Sequence, residues 1–287
     1  MANPLQQLFP ASVKRGARLD WPNEHADRGY IIFFTGRCGS TELVDVLTQS
    51  KKCGAPDEFF NEEFIPHHNA EWHSDSISDY IENLVKHRSA GGTFGFKVDG
   101  FRHRQLCDFI DPTSFFPKTA FKYIYLNRRN LLEQAYSYAH AKKTGVWHSK
   151  NDASPAAGPI DISDANIWRE VALILEQEFY FERYIIENSM DVLRIDYETL
   201  CASKFLLIAD VMLTLGCRVS EVTDTIASLR ENYRKLKYDA SKLTRLIDFR
   251  NKYGQQLSYL TTHRGRLPLA AARNYVRIHT GVDISKG

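Results

Sequence analysis

The segment YIIFFTGRCGST, residues 30–41, joins an unbroken apolar run to a turn that contains two glycines. The aromatic and β-branched run at residues 30–35 indicates a strand that is covered on both faces. A helix is predicted over residues 40–49, directly after the turn. Because a glycine-rich turn between a strand and a helix directs backbone N–H groups and the positive end of the helix dipole at one point, the segment predicts an anion site.

The turn also narrows the class of anion. Triphosphate-binding loops follow G-x-x-x-x-G-K-[ST], in which the lysine reaches the terminal phosphates and the Ser/Thr holds magnesium. Here the interval between Gly36 and Gly39 is two residues shorter, and Ser40 stands where the lysine should be, which argues against a kinase or ATPase. Arg37 supplies a cation instead, and Ser40 and Thr41 add hydroxyl donors. A turn that uses glycine only for its geometry is the alternative.

Three more apolar runs predict strands, at residues 94–98, 121–126 and 191–195. Helices are predicted between the last two of them. Strands that alternate with helices form parallel sheets, because a parallel pair needs a crossover connection. We therefore predict an α/β fold, a P-loop-like parallel β-sheet flanked by helices, followed by a mainly helical basic C-terminal extension.

The helices between the last two strands carry their own signals. One is predicted over residues 130–143, where Asn130 and Glu133 have the spacing of a capping box and Gly145 follows the end. The other is predicted to begin near Ser163. It places apolar side chains near one face with a helical period, at Ile167, Val171, Ile174, Phe181 and Ile185.

The charged residues are distributed unevenly along the chain. From Leu229 onward there are 13 Lys and Arg residues against 4 Asp and Glu, a net charge of +9 against −7 for the rest. This basic tail is explained by a solvated helix face, by closure over an anionic cofactor, or by contact with an anionic substrate or a lipid surface. Nucleic acid is not expected as a partner, because no matching motif or aromatic–basic interleaving is present.

Composition and length fit a soluble globular chain. Apolar residues make up 43% and charged residues 25% of the 287 residues, and the five cysteines are scattered. No apolar run is long enough to span a membrane and no secretory signal is recognised, so we expect a cytoplasmic protein with reduced thiols. If the basic tail binds lipid, the inner face of the membrane is its expected location.

Several ordered motifs resemble one known family. Residues 36–41 (GRCGST) resemble the 5′-phosphosulfate loop of sulfotransferases, and the chain is similar to the bacterial family typified by trehalose 2-sulfotransferase. Residues 54–60 (GAPDEFF) are similar to its G-x-P-x-E-F-F segment, and residues 92–97 (GTFGFK) to its G-x-x-G-x-K strand. Its 3′-phosphate segment resembles three short stretches, at residues 127–128 (NR), 134–137 (QAYS) and 146–147 (VW).

The resemblance covers residues 30–200 and implies a sulfotransferase fold and a domain plan. Residues 1–28 are interpreted as a loosely attached N-terminal arm and residues 29–228 as the sulfotransferase domain. Residues 229–287 are interpreted as a basic, mainly helical C-terminal extension packed on the same domain. A homodimer is one option for the oligomeric state.

The resemblance further implies a donor, 3′-phosphoadenosine 5′-phosphosulfate (PAPS), and its product 3′-phosphoadenosine 5′-phosphate (PAP), with no metal. The implied 5′ site is Gly36, Arg37, Cys38, Gly39, Ser40 and Thr41, although the family commonly has serine where this chain has Cys38. The implied 3′ site is Arg128, after a predicted strand where ligands bind in open sheets, and Ser137. A surface salt bridge for Arg128 and an ordinary helical hydroxyl for Ser137 are the alternatives.

The resemblance implies Glu58 as the general base. From the chemistry of sulfuryl transfer, Arg37 is expected to stabilise the leaving group and Lys97 to act as a second cation near the bridging oxygen or the acceptor. The apolar neighbours Pro56 and Phe59 predict that the pKa of Glu58 is raised. A capping or surface role for Glu58, and a structural ion pair for Lys97, are the alternatives. The nearby carboxylates that compete with Glu58 as the base are Glu62, Glu63 and, as a weaker candidate, Asp57.

The acceptor is expected to be a hydroxyl of a carbohydrate, a glycolipid or a lipopolysaccharide head group. The candidate acceptor-binding residues are Glu58, Phe59, Trp72, Trp147 and His148, the last two at the start of a predicted lid over residues 147–162. The histidines at positions 67, 68 and 73 match no common zinc spacing, so no metal site is expected. The rival hypotheses are a nucleotide kinase-like phosphoryl transferase and a non-catalytic nucleotide- or carbohydrate-binding protein.

Overall fold

The computed structural model describes residues 3–10, 17–147, 160–231 and 240–284. Its elements in chain order are α1 (Pro4–Leu8), β1 (Arg28–Phe34), α2 (Ser40–Ser50), α3 (Ile65–His68), α4 (Ile77–Arg88), β2 (Thr93–Asp99), α5 (Gly100–Phe109), α6 (Pro112–Phe115), β3 (Phe121–Asn127), α7 (Leu131–Thr144), α8 (Asp164–Glu187), β4 (Val192–Asp196), α9 (Tyr197–Ala202), α10 (Lys204–Thr214), α11 (Val219–Glu231), α12 (Ala240–Thr262) and α13 (Leu269–Thr280). In this described part, no helix combines the length and apolar character needed to cross a membrane.

The strands form one parallel sheet in the order β2-β1-β3-β4. Phe34, the last residue of β1, lies opposite Asp99 of β2 and Leu126 of β3, so the carboxyl ends of these strands are level at one edge. Every residue of β2 is buried, as is β1 from Gly29 onward. The predicted α/β fold with a parallel sheet and a helical C-terminal region is confirmed.

The predicted helix signals are confirmed at α7 and α8. The Asn130 side chain accepts a hydrogen bond from the Glu133 backbone N–H at 3.2 Å, which caps the start of α7. Gly145 ends the helix in the left-handed conformation, with φ +70°. On α8 the five apolar residues predicted to share a face are all buried.

The described chain separates into two compact units. The first comprises residues 1–34, 39–127 and 188–234, and it contains the whole sheet. Among the described residues of the predicted N-terminal arm, Leu5 and Phe9 are buried, which differs from the expected loose attachment. The Trp21 ring meets Phe121 edge-on at 4.8 Å, and its Nε1 donates to the Phe115 carbonyl at 2.8 Å. Large apolar side chains thus anchor a segment whose sequence has no strong periodicity.

The second unit comprises residues 35–38, 128–187 and 235–287. Trp168 of α8 is fully buried there, with the Phe249 and Tyr253 rings of α12 at 5.1 and 5.5 Å. Asp164, the first residue of α8, accepts hydrogen bonds from Arg245, Lys252 and Tyr253. Helices α7, α8, α12 and α13 therefore share one apolar core. The predicted boundaries at residues 28 and 228 stay predictions.

Candidate active site

The glycine turn after β1 has an unusual backbone. Arg37 has φ +66° and Gly39 has φ +91°, both in the left-handed region. A side chain at Gly39 would place its Cβ 2.5 Å from the Tyr197 ring, so only glycine fits. Gly39 also precedes α2 without giving it a side-chain cap. Helix N-termini without a side-chain cap are suited to anions, and the anion site predicted from the sequence stays a prediction.

Helix α7 holds the first half of this turn. Gln134, which is fully buried, donates from Nε2 to Thr35 Oγ1 at 2.8 Å and to the Gly36 carbonyl at 2.9 Å. A Cβ at Gly36 would lie 2.7 Å from the Tyr138 ring. Because residues 134 and 138 are one turn apart on one helix face, α7 both supports the turn and requires glycine in it.

Arg37 also contacts α7. Its Nε donates to Ser137 Oγ at 3.0 Å, and its Nη1 donates to the backbone carbonyl of Trp147. The structure thus brings together Arg37 and Ser137, which the sequence assigned to opposite ends of the donor. The Trp147 side chain is exposed and meets the Tyr138 ring edge-on at 5.9 Å. His148 and most of the predicted lid lie outside the described residues.

Arg128 directly follows β3 and is buried rather than on the surface. Its guanidinium forms an ion pair with Glu133, in the first turn of α7. The Lys242 Nζ lies 3.7 Å from the same Glu133 oxygen. Two cations therefore share one carboxylate.

The carboxylate predicted to act as the base is paired in the first unit. Glu58 Oε1 lies 2.9 Å from Lys97 Nζ, and Glu58 Oε2 accepts from Asn61 Nδ2 at 3.2 Å. The Lys97 side chain is only 4% exposed, against 22% for Glu58. Its Nζ is 5.2 Å from the centroid of the Phe34 ring, which places the pair beside the end of β1.

The prediction of a raised pKa for Glu58 is wrong. Burial does raise the pKa of this carboxyl, but the Lys97 ammonium and the Asn61 amide outweigh it, and the net pKa lies below the ordinary value of 4.5. Glu58 is therefore ionised at neutral pH. The charge of Glu58, and the stability that its pairing contributes, are lost only as the pH falls through this lowered pKa.

Removing the Lys97 charge should reverse the lowering of the Glu58 pKa. We expect the pKa of Glu58 to rise above 4.5 in Lys97→Met, because burial then acts with less opposition. The measurement is an NMR titration of the ¹³C-labelled Glu carboxyl carbons, which needs no acceptor. Lys122→Met, which removes an exposed lysine of β3, is the matched control and should leave the titration unchanged. An unchanged Glu58 midpoint in Lys97→Met contradicts the proposed electrostatic pairing.

The predicted acceptor residues have different environments. Phe59 is buried, with the His68 and Phe94 rings at 5.0 and 6.3 Å. Trp72 is partly exposed and stacks on the His87 ring at 5.1 Å. These contacts indicate a packing role for Phe59, while its predicted contact with an acceptor, and that of Trp72, stay predictions. Within the described residues, no group of three or more His, Cys, Asp and Glu side chains could hold a metal ion.

The sequence alone indicated no role for three residues that contact the glycine turn or the backbone at Arg128. These residues are Gln134, Tyr138 and Arg264. Gln134 belongs to the QAYS stretch. Its spacing of three residues from Ser137 on a predicted helix could have indicated that both side chains lie on the same face. For Tyr138 and Arg264 the sequence carries no local signal, because their contacts lie far apart along the chain.

Together, the parallel sheet, the lysine-free strand–turn–helix and the pair of a partly buried carboxylate with a buried lysine are typical of an α/β group-transfer enzyme. The family model for the Stf0 sulphotransferases matches residues 29–91 and 114–240, and the chain belongs to this family. It is a sulfotransferase. No curated protein is similar enough in sequence to give a match.

Solved structures show more distant similarity. A sulfotransferase from Alicyclobacillus acidocaldarius matches with a TM-score of 0.46 and 13% identity, covering 91% of this chain and 98% of that one. Retinol dehydratase in complex with androsterone and the inactive cofactor PAP matches with a TM-score of 0.39 and 13% identity, covering 80% and 68%. Retinol dehydratase in complex with retinol and PAP matches with a TM-score of 0.37 and 13% identity, covering 78% of this chain and 66% of that one. These similarities are remote, and the assignment depends on the family match.

Proposed function

We propose that the protein transfers a sulfuryl group from PAPS to a hydroxyl of a carbohydrate, glycolipid or lipopolysaccharide acceptor. The observation that carries the proposal is a pair of arginines that follow neighbouring parallel strands. The chain leaves β1 into the turn that contains Arg37, and it leaves β3 into Arg128. A donor with two separated anionic ends needs two such cations, and ligands of open α/β sheets bind beyond the carboxyl ends of the strands.

In this proposal the glycine turn binds the 5′ end of the donor. Arg37 contributes charge, and the N–H groups at the start of α2 contribute hydrogen bonds together with the hydroxyls of Ser40 and Thr41. Cys38 is buried, so it takes part through its backbone rather than its thiol. The absence of a side-chain cap at Gly39 supports this assignment.

The 3′-phosphate is assigned to Arg128. Its pairing with Glu133 supports an anion-binding role, because a phosphate can replace or join the carboxylate on a guanidinium. Lys242 adds charge beside it. Ser137 contacts Arg37, so we assign its hydroxyl to positioning that guanidinium as well as to the donor.

Glu58 is the proposed base. It removes the proton of the acceptor hydroxyl as the new O–S bond forms, and the bond between the sulfuryl group and the phosphate breaks with its electron pair on the 5′-phosphate of PAP. Because this transition state is loosely bonded, alignment and charge stabilisation contribute most of the catalysis. Arg37 stabilises the charge on the leaving group. Once its ion pair with Glu58 breaks, Lys97 is assigned to stabilise the charge on the reacting oxygens. No step requires a metal.

The acceptor assignment uses the aromatic residues Trp72 and Trp147 together with Glu58, because aromatic faces pack against the C–H surfaces of sugars. Trp147 is the more exposed of the two tryptophans. We place the enzyme in the cytoplasm, with the basic tail as a contact for an anionic acceptor or membrane surface.

Calorimetric titration with PAP, with ATP as the comparison ligand, tests the donor assignment. We expect wild type to bind PAP more tightly than ATP. Arg128→Ala should weaken PAP about a hundredfold, because it removes a charge-assisted contact and leaves Glu133 beside the phosphate. Arg183→Ala, which removes an exposed arginine of α8, is the control. Tighter binding of ATP, or no effect of Arg128→Ala, would favour the kinase-like alternative and reject the donor assignment.

A further inference from the structure

Arg264 is a partly buried arginine of the C-terminal segment, between α12 and α13. It lies outside the family match, which ends at residue 240. Its Nε donates to Glu178 Oε2 at 2.9 Å, and its Nη2 donates to the other oxygen of the same carboxylate. Its Nη1 donates to the backbone carbonyls of Arg128 at 2.6 Å and Arg129 at 2.9 Å. One side chain therefore joins α8 to the connection between β3 and α7.

The burial and geometry of this contact indicate a specific role. The side chains of Arg264 and Glu178 are 16% and 5% exposed. An ion pair that is largely removed from water is stable only when the other donors of its cation are also satisfied, and here two backbone carbonyls accept from Nη1. The planar guanidinium fork is needed, because an ammonium could not face a carboxylate and two carbonyls together.

The next residue supports the same interpretation. Gly265 has φ +70°, and a Cβ there would lie 2.7 Å from the Glu182 side chain of α8. Glycine therefore allows the chain to approach α8 closely just where Arg264 reaches Glu178. The close approach of this segment to α8 therefore depends on the backbone conformation at Gly265 as well as on the Arg264 side chain.

We propose that Arg264 is a positioning residue for the donor, and this inference rests on the proposed function. By holding the carbonyls of two consecutive peptides, Arg264 and Glu178 fix the backbone from which the Arg128 side chain leaves. The Arg128 guanidinium is then preorganised for the 3′-phosphate. Arg264 itself does not contact the donor. This role explains part of the basic tail as a support of the donor site.

The test compares two nucleotides that differ only in the 3′-phosphate, PAP and adenosine 5′-phosphate. In Arg264→Gln we expect the dissociation constant of PAP to rise about tenfold and that of adenosine 5′-phosphate to stay within about twofold. Arg264→Lys keeps the charge without the fork, and it should restore little of the affinity for PAP. Arg266→Gln, at an exposed arginine two residues away, is the control and should bind both nucleotides like wild type.

Several results would overturn the inference. A loss of equal size for both nucleotides, or an unchanged affinity for PAP, would show that Arg264 does not act through the 3′-phosphate. Full rescue by lysine would show that its charge matters and that the positioning fork does not. If thermal unfolding shows that Arg264→Gln does not fold, Glu178→Gln gives the same comparison, with a selective loss for PAP as the supporting result. A wild-type protein that does not prefer PAP to adenosine 5′-phosphate would instead reject the proposed function.

Discussion

We expect Glu58→Gln to lower kcat for sulfuryl transfer by about a hundredfold or more, while the affinity for PAP stays within about twofold of wild type or improves. Glutamine keeps the size of the side chain and can still face Asn61, but it cannot accept the proton of the acceptor. The buried Lys97 loses its partner in this variant, so the local positive charge rises and does not oppose an anionic donor. The expected result is therefore a loss of chemistry without a loss of donor binding.

The measurement combines transfer of ³⁵S-labelled sulfate to a panel of carbohydrate and glycolipid acceptors with calorimetric titration of PAP. Glu63→Gln is the matched control, because Glu63 is an exposed carboxylate of the same segment, and it should keep the wild-type kcat. Wild-type turnover in Glu58→Gln would reject Glu58 as the base. If wild type binds PAP but transfers sulfate to no acceptor in the panel or in cell extracts, the non-catalytic alternative is favoured.

The fold could be predicted because strands that are covered on both faces have nearly continuous apolar sequences. The run at residues 30–35 corresponds to β1, Arg28–Phe34, and its start was missed because Arg28 and Gly29 are not typical strand residues. Gly29 is required there by the Phe121 ring, which occupies the space of a Cβ. Helix α7 was predicted almost to the residue, since its capping signals are local in sequence.

The electrostatics of the candidate site could not be predicted in the same way. Pro56 and Phe59 are neighbours of Glu58 in sequence and suggested a raised pKa, but Lys97 reaches the carboxylate from strand β2 and reverses the direction of the pKa shift. The pairing of Arg37 with Ser137 joins residues that are 100 positions apart. Single-sequence patterns report periodicity and caps, whereas such contacts depend on how the elements pack.

The second large effect is expected at Arg37. Arg37→Gln should lower kcat by about 10²- to 10³-fold, because it removes the cation assigned to the charge that develops on the leaving phosphate. The affinity for PAP should fall by a smaller factor, about tenfold, since the backbone N–H groups of the turn remain. The unequal losses follow from the proposal that Arg37 acts mainly in the transition state.

Ser137→Ala separates the charge of Arg37 from its position. This variant removes the acceptor of the Arg37 Nε hydrogen bond at 3.0 Å and leaves the cation in place, so we expect a loss in kcat of about tenfold. Arg183→Gln removes an exposed arginine of α8 and should leave kcat unchanged. If Arg37→Gln weakens PAP binding as much as it lowers kcat/KM and leaves kcat at the wild-type value, Arg37 only binds the donor and does not stabilise the leaving group. If Ser137→Ala costs as much as Arg37→Gln, the position of the guanidinium matters as much as its charge.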